Sequence, residues 1–354
     1  MNSVIAHQPQ RLVILDYLRG LAALSVVVFH LFYKGPTEGW MKVQPLPIVS
    51  DIAGYGYLGV NLFFLISGFV IALSVEGTTF RRFATARLTR LLPASTICAT
   101  LTTLLLVFVE GPSKVLISNW LATLTLVPAW FGQPGVDAVY WSLRIEVQFY
   151  LAVALLLLLQ KKDKAPVVIA LWLLFSLVNL FLPIWRLDFL LCLSWAPYLC
   201  AGVLFHAWHA RVVNLKIAVG LVACLFLALS YAFNSAVKDG YEIPSVTCFI
   251  VFLMFIIFAG FCVKKMAPES TKASQFFGST TYPLYLFHQV IGYAIFNFLF
   301  TKISFSVAKY ILPLLILFGL MATAHLIHLA LEKPLATWLR VYLCGLQAKP
   351  QRPL

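Results

Sequence analysis

Long apolar runs alternate with short polar connections along the chain. The runs fall near residues 14–33, 57–76, 91–110, 145–160, 165–184, 187–207, 214–233, 244–263, 282–300 and 308–331. A helix crossing the hydrocarbon core needs about 20 mostly apolar residues, and in lipid a helix satisfies its backbone polar groups internally. The pattern therefore predicts an all-α fold, a polytopic transmembrane helical bundle with about ten spanning helices. Residues 117–131, ISNWLATLTLVPAWF, fit less well, because they are few and hold Asn119, Thr123, Thr125 and Pro128. They are read as a partial or interfacial insertion. With no repeat, low-complexity tract or long linker in view, one membrane domain is expected over 12–336, between an N-terminal segment 1–11 and a tail 337–354.

Composition sharpens this picture. The chain is 61% hydrophobic and 11% charged, with a mean hydropathy of +0.91, which excludes an ordinary soluble domain. A net charge of +13 invites a nucleic-acid partner, but the basic residues sit in small groups between apolar runs, as in RRFATARLTR and KKDK. That spacing follows the positive-inside rule instead, so no nucleic-acid partner is expected. A cytoplasmic N-terminus and tail place 17 Lys and Arg inside, 8 outside and Arg19 within the membrane. The seven cysteines form no CxxC pair and mostly lie inside apolar runs, as small packing residues do. Asp16 and Arg19 enter the start of the first run and no A-x-A site follows, so a cleaved signal peptide is not expected.

Charged groups are costly in hydrocarbon, so ionisable side chains within spans are candidates for function. Arg19 and His30 lie eleven positions apart on the first span, on one face within about 20° and separated by roughly 16 Å. Arg19 reads equally as an anchor paired with Asp16 at i−3, and His30 as a histidine bonded to a neighbouring helix. In the second span, Gly59, Ser67 and Gly68 suit close helix packing, and Asn61 is its one strong polar group. Arg87 and Arg90 are placed to grip phosphate at the cytoplasmic surface, or to serve as a headgroup or topology signal. Trp141, Ser142, Arg144, Glu146 and Gln148 open the fourth span; Glu146 is the best carboxylate candidate, with Arg144 as its structural partner. His288 and Gln289 are expected one or two turns into the ninth span, beside an aromatic belt. His325 and His328 share a face but show no third ligand, so no metal site is expected.

In their order, LDYLRGLAALSVVVFHLF, GVNLFFLISGF, RLTRLLP, WSLRIEVQFYL, YPLYLFHQ and LEKPL closely resemble the acyltransferase 3 family of bacterial membrane proteins, from about residue 12 to 336. The resemblance implies about ten helices in the bacterial inner membrane. It implies acyl-CoA as donor cosubstrate on the cytoplasmic side, with no permanently bound cofactor, and a sugar-containing acceptor such as O-antigen, exopolysaccharide, peptidoglycan, a Nod-factor-like glycan or a macrolide sugar. Acetyl is the expected acyl group. The family's Arg-x10-His element falls on Arg19 and His30, its Arg-x-x-Arg element on Arg87 and Arg90, and its Trp-Ser-Leu with a following glutamate on Trp141, Ser142 and Glu146. Asn61 and Thr281 depart from the family, where an acidic residue and a serine are common. No SGNH-hydrolase-like extension is visible, so transfer requiring one would need a partner.

The expected mechanism has Arg87 and Arg90, helped by Arg19, holding the CoA phosphates. His30 is the general base on the acceptor hydroxyl, with Glu146 orienting it or the substrate. Trp141, Ser142, His288 and Asn61 contact substrate. An acyl-enzyme on Ser142 or His30 is the alternative route. The rival function is a transporter or flippase whose path these residues line.

Overall fold

Among the described residues of this computed structural model, ten helices are long and apolar enough to cross a bilayer, and they carry most of the chain: α1 Val13–Thr37, α2 Pro47–Val75, α3 Phe80–Glu110, α4 Ala138–Leu158, α5 Lys162–Phe181, α6 Trp185–His209, α7 Leu215–Lys238, α8 Pro244–Val263, α9 Lys272–Phe300 and α10 Ile311–Gly345. The structure describes residues 12–43, 46–210, 212, 214–241, 243–264, 269–302 and 308–345. The basic residues Arg11, Arg211 and Lys265, together with segments 1–11 and 346–354, lie outside the described residues. No strand occurs among those described.

Helix boundaries follow the caps rather than the apolar runs. Thr79 accepts from the amide of Arg82 and starts α3; Thr271 and Ser274 form a reciprocal capping box that starts α9. A side-chain acceptor at the N-cap satisfies amides that otherwise have no intrahelical partner. Both helices thus begin about ten residues before the runs expected at 91–110 and 282–300. Of the polar side chains in these first turns, Arg81, Arg82, Lys272 and Gln275 are exposed and only Ser274 is buried. Between α3 and α4, the helix Lys114–Leu124 has 11 residues, about 16 Å, too short to cross a core of about 30 Å. At the other end of the chain, α10 passes through a wide turn at His328–Glu332 and runs on to Gly345, so residues 337–345 continue the helix where a tail was expected.

Successive helices alternate in direction. At one end, Tyr17 and Thr271 share a hydrogen bond of 2.6 Å, and Lys162 donates to the carbonyls of Val75 and Thr78. We call this the N-terminal end. At the far end, Tyr241 donates to the carbonyl of Gly54, and Asn297 joins the backbone of Trp40 and Lys42. The tightest approach is between α2 and α6. A Cβ on Gly68 would lie 2.1 Å from the carbonyl oxygen of Leu199, and one on Gly202 would lie 2.2 Å from that of Leu65. Only paired glycines let backbones pack this closely. α2 and α6 thereby bring Asn61 and Trp195 to the same part of the bundle.

Candidate active site

Four helices turn polar side chains toward one another near the middle of the bundle. α1 contributes Arg19, α3 contributes Arg87 and Arg90, α4 contributes Ser142, Glu146 and Tyr150, and α9 contributes Thr281 and Tyr285; with Val60, Ser67 and others of α2 they line a narrow chamber of about 80 Å³. Arg87 and Arg90 lie seven and ten residues into α3, roughly 10 and 15 Å along it. Both line the chamber, Arg87 part-buried and Arg90 exposed, and both stand further along the helix than expected because the cap at Thr79 starts it early. Arg87 lies over the rings of Phe83 and Tyr150, each at 5.6 Å, and its buried Nε has no partner. Arg19 pairs with Asp16 at 3.5 Å while also lining the chamber. Three guanidiniums thus face one lining carboxylate, an excess of positive charge suited to an anionic ligand.

Glu146 accepts a hydrogen bond from the hydroxyl of Tyr150, one turn on. Arg144 is not its partner, contrary to the sequence expectation. That guanidinium donates to Gln148 Oε1 at 2.9 Å and to the carbonyl of Phe189, and it stacks on the Phe189 ring at 4.3 Å. At i−2, Arg144 points to another side of α4 from Glu146. Glu146 does not orient His30 either, since the two face different chambers.

The second chamber, about 450 Å³, lies toward the far end and is lined by His30, Asn61, Trp141, Trp195, Tyr241 and Gln289, among others. Val60 and Tyr285 face both chambers, so they form the wall where the two meet. His30 opens a widened helical turn, His30–Lys34, an irregularity frequent at functional sites. Its Nδ1 lies 3.0 Å from the Tyr293 hydroxyl, and its ring packs on that of His288 with centroids 5.0 Å apart. His288 Nδ1 lies 2.9 Å from the carbonyl of Tyr285. A carbonyl only accepts, which assigns the proton to Nδ1 and leaves the buried Nε2 bare and unpartnered. Gln289 Oε1 is also buried without a partner. Such orphaned groups cost about 1–3 kcal/mol each, and Gln289, which lines the second chamber, can recover that cost from a bound ligand.

Of the residues singled out in the sequence, Arg19, Arg87, Arg90, Ser142 and Glu146 meet in the first chamber, and His30, Asn61 and Trp141 in the second. His288 lines neither; it stands 16 residues into α9, much deeper than one or two turns, and backs His30. Thr281 reaches the first chamber, its hydroxyl donating to the carbonyl of Phe277. His325 contacts Thr280 while His328 pairs with Glu332 at 2.7 Å, so the two histidines serve different partners. Gln289, singled out beside His288, lines the second chamber, whereas sequence reading missed Tyr150, Tyr285 and Tyr293. Tyr150 had a signal in its i+4 spacing from Glu146. The tyrosines of α9 were read as an interfacial belt, and nothing local reveals which helix they meet.

A narrow cationic chamber sharing a wall with a larger chamber that holds an imidazole defines a class: a multi-pass membrane protein with an interior two-compartment site. The chain belongs to the acyltransferase 3 family, whose model, described as an acyltransferase domain, matches residues 12–331. It is 32% identical over 157 residues to YrhL of Bacillus subtilis (strain 168), named as a candidate peptidoglycan O-acetyltransferase, a match covering 39% of this chain and 22% of that one. The peptidoglycan O-acetyltransferase OatA of Listeria monocytogenes is 27% identical over 157 residues, again 39% of this chain and 22% of the relative. The acyltransferase MdmB of Streptomyces mycarofaciens is 31% identical over 159 residues, 40% of this chain and 39% of the relative. The match thus spans well under half the length of each relative. No solved structure matches the chain.

Proposed function

We propose that this protein is a membrane O-acetyltransferase that moves an acetyl group from acetyl-CoA onto a hydroxyl of a sugar-containing acceptor. Its place is the bacterial plasma membrane, with the N-terminal end of the bundle in the cytoplasm. The observation that carries the reading is the meeting of the two chambers at Val60 and Tyr285, with three guanidiniums on one side and His30 on the other. The names of the relatives support acetyl transfer to a glycan, and the bias of Lys and Arg toward the connections at the N-terminal end supports the orientation.

Ligand pockets usually enclose about 300–1,000 Å³, so the 80 Å³ first chamber suits a slender arm and not a nucleotide. The adenosine stays toward the N-terminal end, its phosphates meet Arg87 and Arg90, and the acyl-bearing pantetheine arm passes between Glu146 and Thr281 toward Tyr285. Excess positive charge draws the polyanion in, and planar guanidiniums bind phosphate through two parallel bonds. Beyond the wall, the acceptor hydroxyl lies against His30. With Nδ1–H donating to the Tyr293 oxygen, His30 Nε2 is the base. It takes the hydroxyl proton as the oxygen attacks the thioester carbonyl; the C–S bond breaks, and the imidazolium returns the proton to the CoA thiolate. A positioned base of this kind contributes about 10²–10⁴-fold.

The test is transfer of radiolabelled acetyl from acetyl-CoA to glycan in proteoliposomes. His30→Ala is expected to lower transfer about 10²–10⁴-fold with normal protein abundance, and Arg87→Ala with Arg90→Ala to weaken acetyl-CoA binding. Full transfer by the His30 variant, or unchanged donor affinity in the double variant, overturns the assignment. Substrate crossing the vesicle wall without acetyl-CoA consumption would place the protein with transporters instead.

A further inference from the structure

The chamber that holds His30 does not end at its far wall. Tyr57, Asn61 and Trp195 each line a further cleft of about 650 Å³ between α2, α5, α6 and α7, lined also by Asn179, Trp185, Asp188, Tyr231, Asn234 and Lys238. Resting on the acetyl-transfer reading, we propose that this cleft is a saccharide subsite, so the acceptor is a neutral chain of two or more sugar units entering from the far end.

The lining has the chemistry of a carbohydrate groove. Trp185, with Arg186 over its ring at 5.4 Å, and Trp195 bring aromatic rings to the cleft, and Trp195 lies 5.0 Å from Trp141 by ring centroids, so an aromatic track runs from the cleft to the chamber of His30. Aromatic rings suit the C–H faces of pyranose rings, with tyrosine and tryptophan keeping a polar handle as well. Between them stand amide and carboxylate groups able to accept from and donate to sugar hydroxyls. These are held in place before any ligand arrives. Asp188 accepts from the backbone amide and hydroxyl of Ser194 at 2.8 and 3.0 Å, and Asn179 joins the amide of Ile184 and the hydroxyl of Tyr231. Fixing side chains in advance removes part of the ordering cost of binding.

Charge and contrast narrow the ligand class. Asp188 and Lys238 bring opposite charges to the cleft, unlike the three guanidiniums of the donor chamber, so no polyanion is favoured. A groove elsewhere in the bundle, lined by Phe149, Val153, Trp172, Phe175 and Leu191, has an almost wholly aliphatic and aromatic wall; that is the surface a lipid chain would choose. The His30 chamber and the cleft each fall within the about 300–1,000 Å³ of a ligand pocket, which leaves room for units beyond the one being acetylated.

Trp185 is 72% exposed, so its removal leaves the core intact. Calorimetric titration of the purified full-length protein with N-acetylglucosamine oligomers of one to four units tests the subsite without acetyl-CoA. Affinity is expected to rise at least about tenfold from monomer to tetramer, and Trp185→Ala to remove that gain while leaving monomer binding unchanged. A tetramer bound no more tightly than the monomer, loss of both in the variant, absence of any binding, or displacement of the tetramer by phosphatidylglycerol vesicles overturns the proposal. Acetyl-CoA turnover by wild type and His30→Ala is scored separately. Its failure would sink the transferase reading while length-dependent binding lost with Trp185 still located the subsite.

Discussion

The hydroxyl of Tyr285 lies 2.7 Å from Ser142 Oγ, and this bond ties α9 to α4 at the wall between the two chambers. Ser142 also donates to the carbonyl of Val139 at 3.1 Å, so the serine fixes the tyrosine to the rigid start of α4. In the proposed mechanism, a wall held in this way keeps thioester and water apart until an acceptor is in place.

Ser142→Ala removes the anchor and leaves the tyrosine ring. The lost hydrogen bond is expected to cost about 1 kcal/mol of stability, and a looser wall should let water compete with the acceptor. The measurement is CoA release against ester formed. A rise in acceptor-independent CoA release is the expected outcome, and an unchanged ratio would show that the bond does not set the wall.

Tyr293 touches no reacting atom in the proposed mechanism; it positions His30 through Nδ1. A hydrogen bond to a charged partner contributes about 1.5–3 kcal/mol, and 1.36 kcal/mol is tenfold in rate, so Tyr293→Phe should lower kcat at least about tenfold. The KM for acetyl-CoA should not move, because donor and imidazole occupy different chambers. In a His30→Ala background the same change should have no further effect, as expected of residues acting as a unit. An equal loss in both backgrounds would assign Tyr293 a structural role only.

The number of spanning helices was legible in the sequence because apolar length is a property of each segment alone. That Arg19 and His30 ride on one helix was legible too, but not that they line different chambers. Where the site lies along each helix was not legible. α3 and α9 start at the caps Thr79 and Thr271, about ten residues before hydropathy turns apolar, so Arg87, Arg90 and His288 all stand further along their helices than their polar surroundings imply. The partner of Glu146 illustrates a second limit. Arg144 is nearer in sequence, but side chains two apart diverge on a helix, and Arg144 goes to Gln148 and Phe189. The division into two chambers, with Tyr285 facing both, depends on how α9 packs against α2 and α4, which no single segment encodes.

Arg90 and Arg144 carry the same charge and should respond oppositely to lysine. Lysine keeps the charge but lacks the planar fork that grips phosphate. Arg90→Lys is expected to raise the KM for acetyl-CoA about tenfold with kcat little changed, whereas Arg144→Lys should leave that KM alone and lower the unfolding temperature, because the bonds from Arg144 brace α4 against α6. Steady-state kinetics and thermal unfolding of both variants in detergent separate the two roles. A KM shift in Arg144→Lys equal to that in Arg90→Lys would undo the distinction.

Gly202 and Gly260 offer a matched pair for the packing that places Asn61 beside Trp195. A Cβ on Gly202 would lie 2.2 Å from the carbonyl oxygen of Leu65 and 2.6 Å from the amide nitrogen of Phe69, all backbone, whereas one on Gly260 meets nothing within 4 Å. Backbone cannot rotate aside as a side chain can, so Gly202→Ala must push α6 from α2, an overpacking cost of about 1–3 kcal/mol. Gly260→Ala should be neutral or stabilise α8 by roughly 0.5–1 kcal/mol, since alanine loses less backbone freedom in a helix. Because Asn61 rides on α2 and Trp195 on α6, the Gly202 variant should also bind saccharide more weakly than the Gly260 variant at a temperature where both are folded. Thermal unfolding and oligosaccharide titration on the two proteins would check this, and equal behaviour would mean that the α2–α6 contact does not shape the acceptor side of the site.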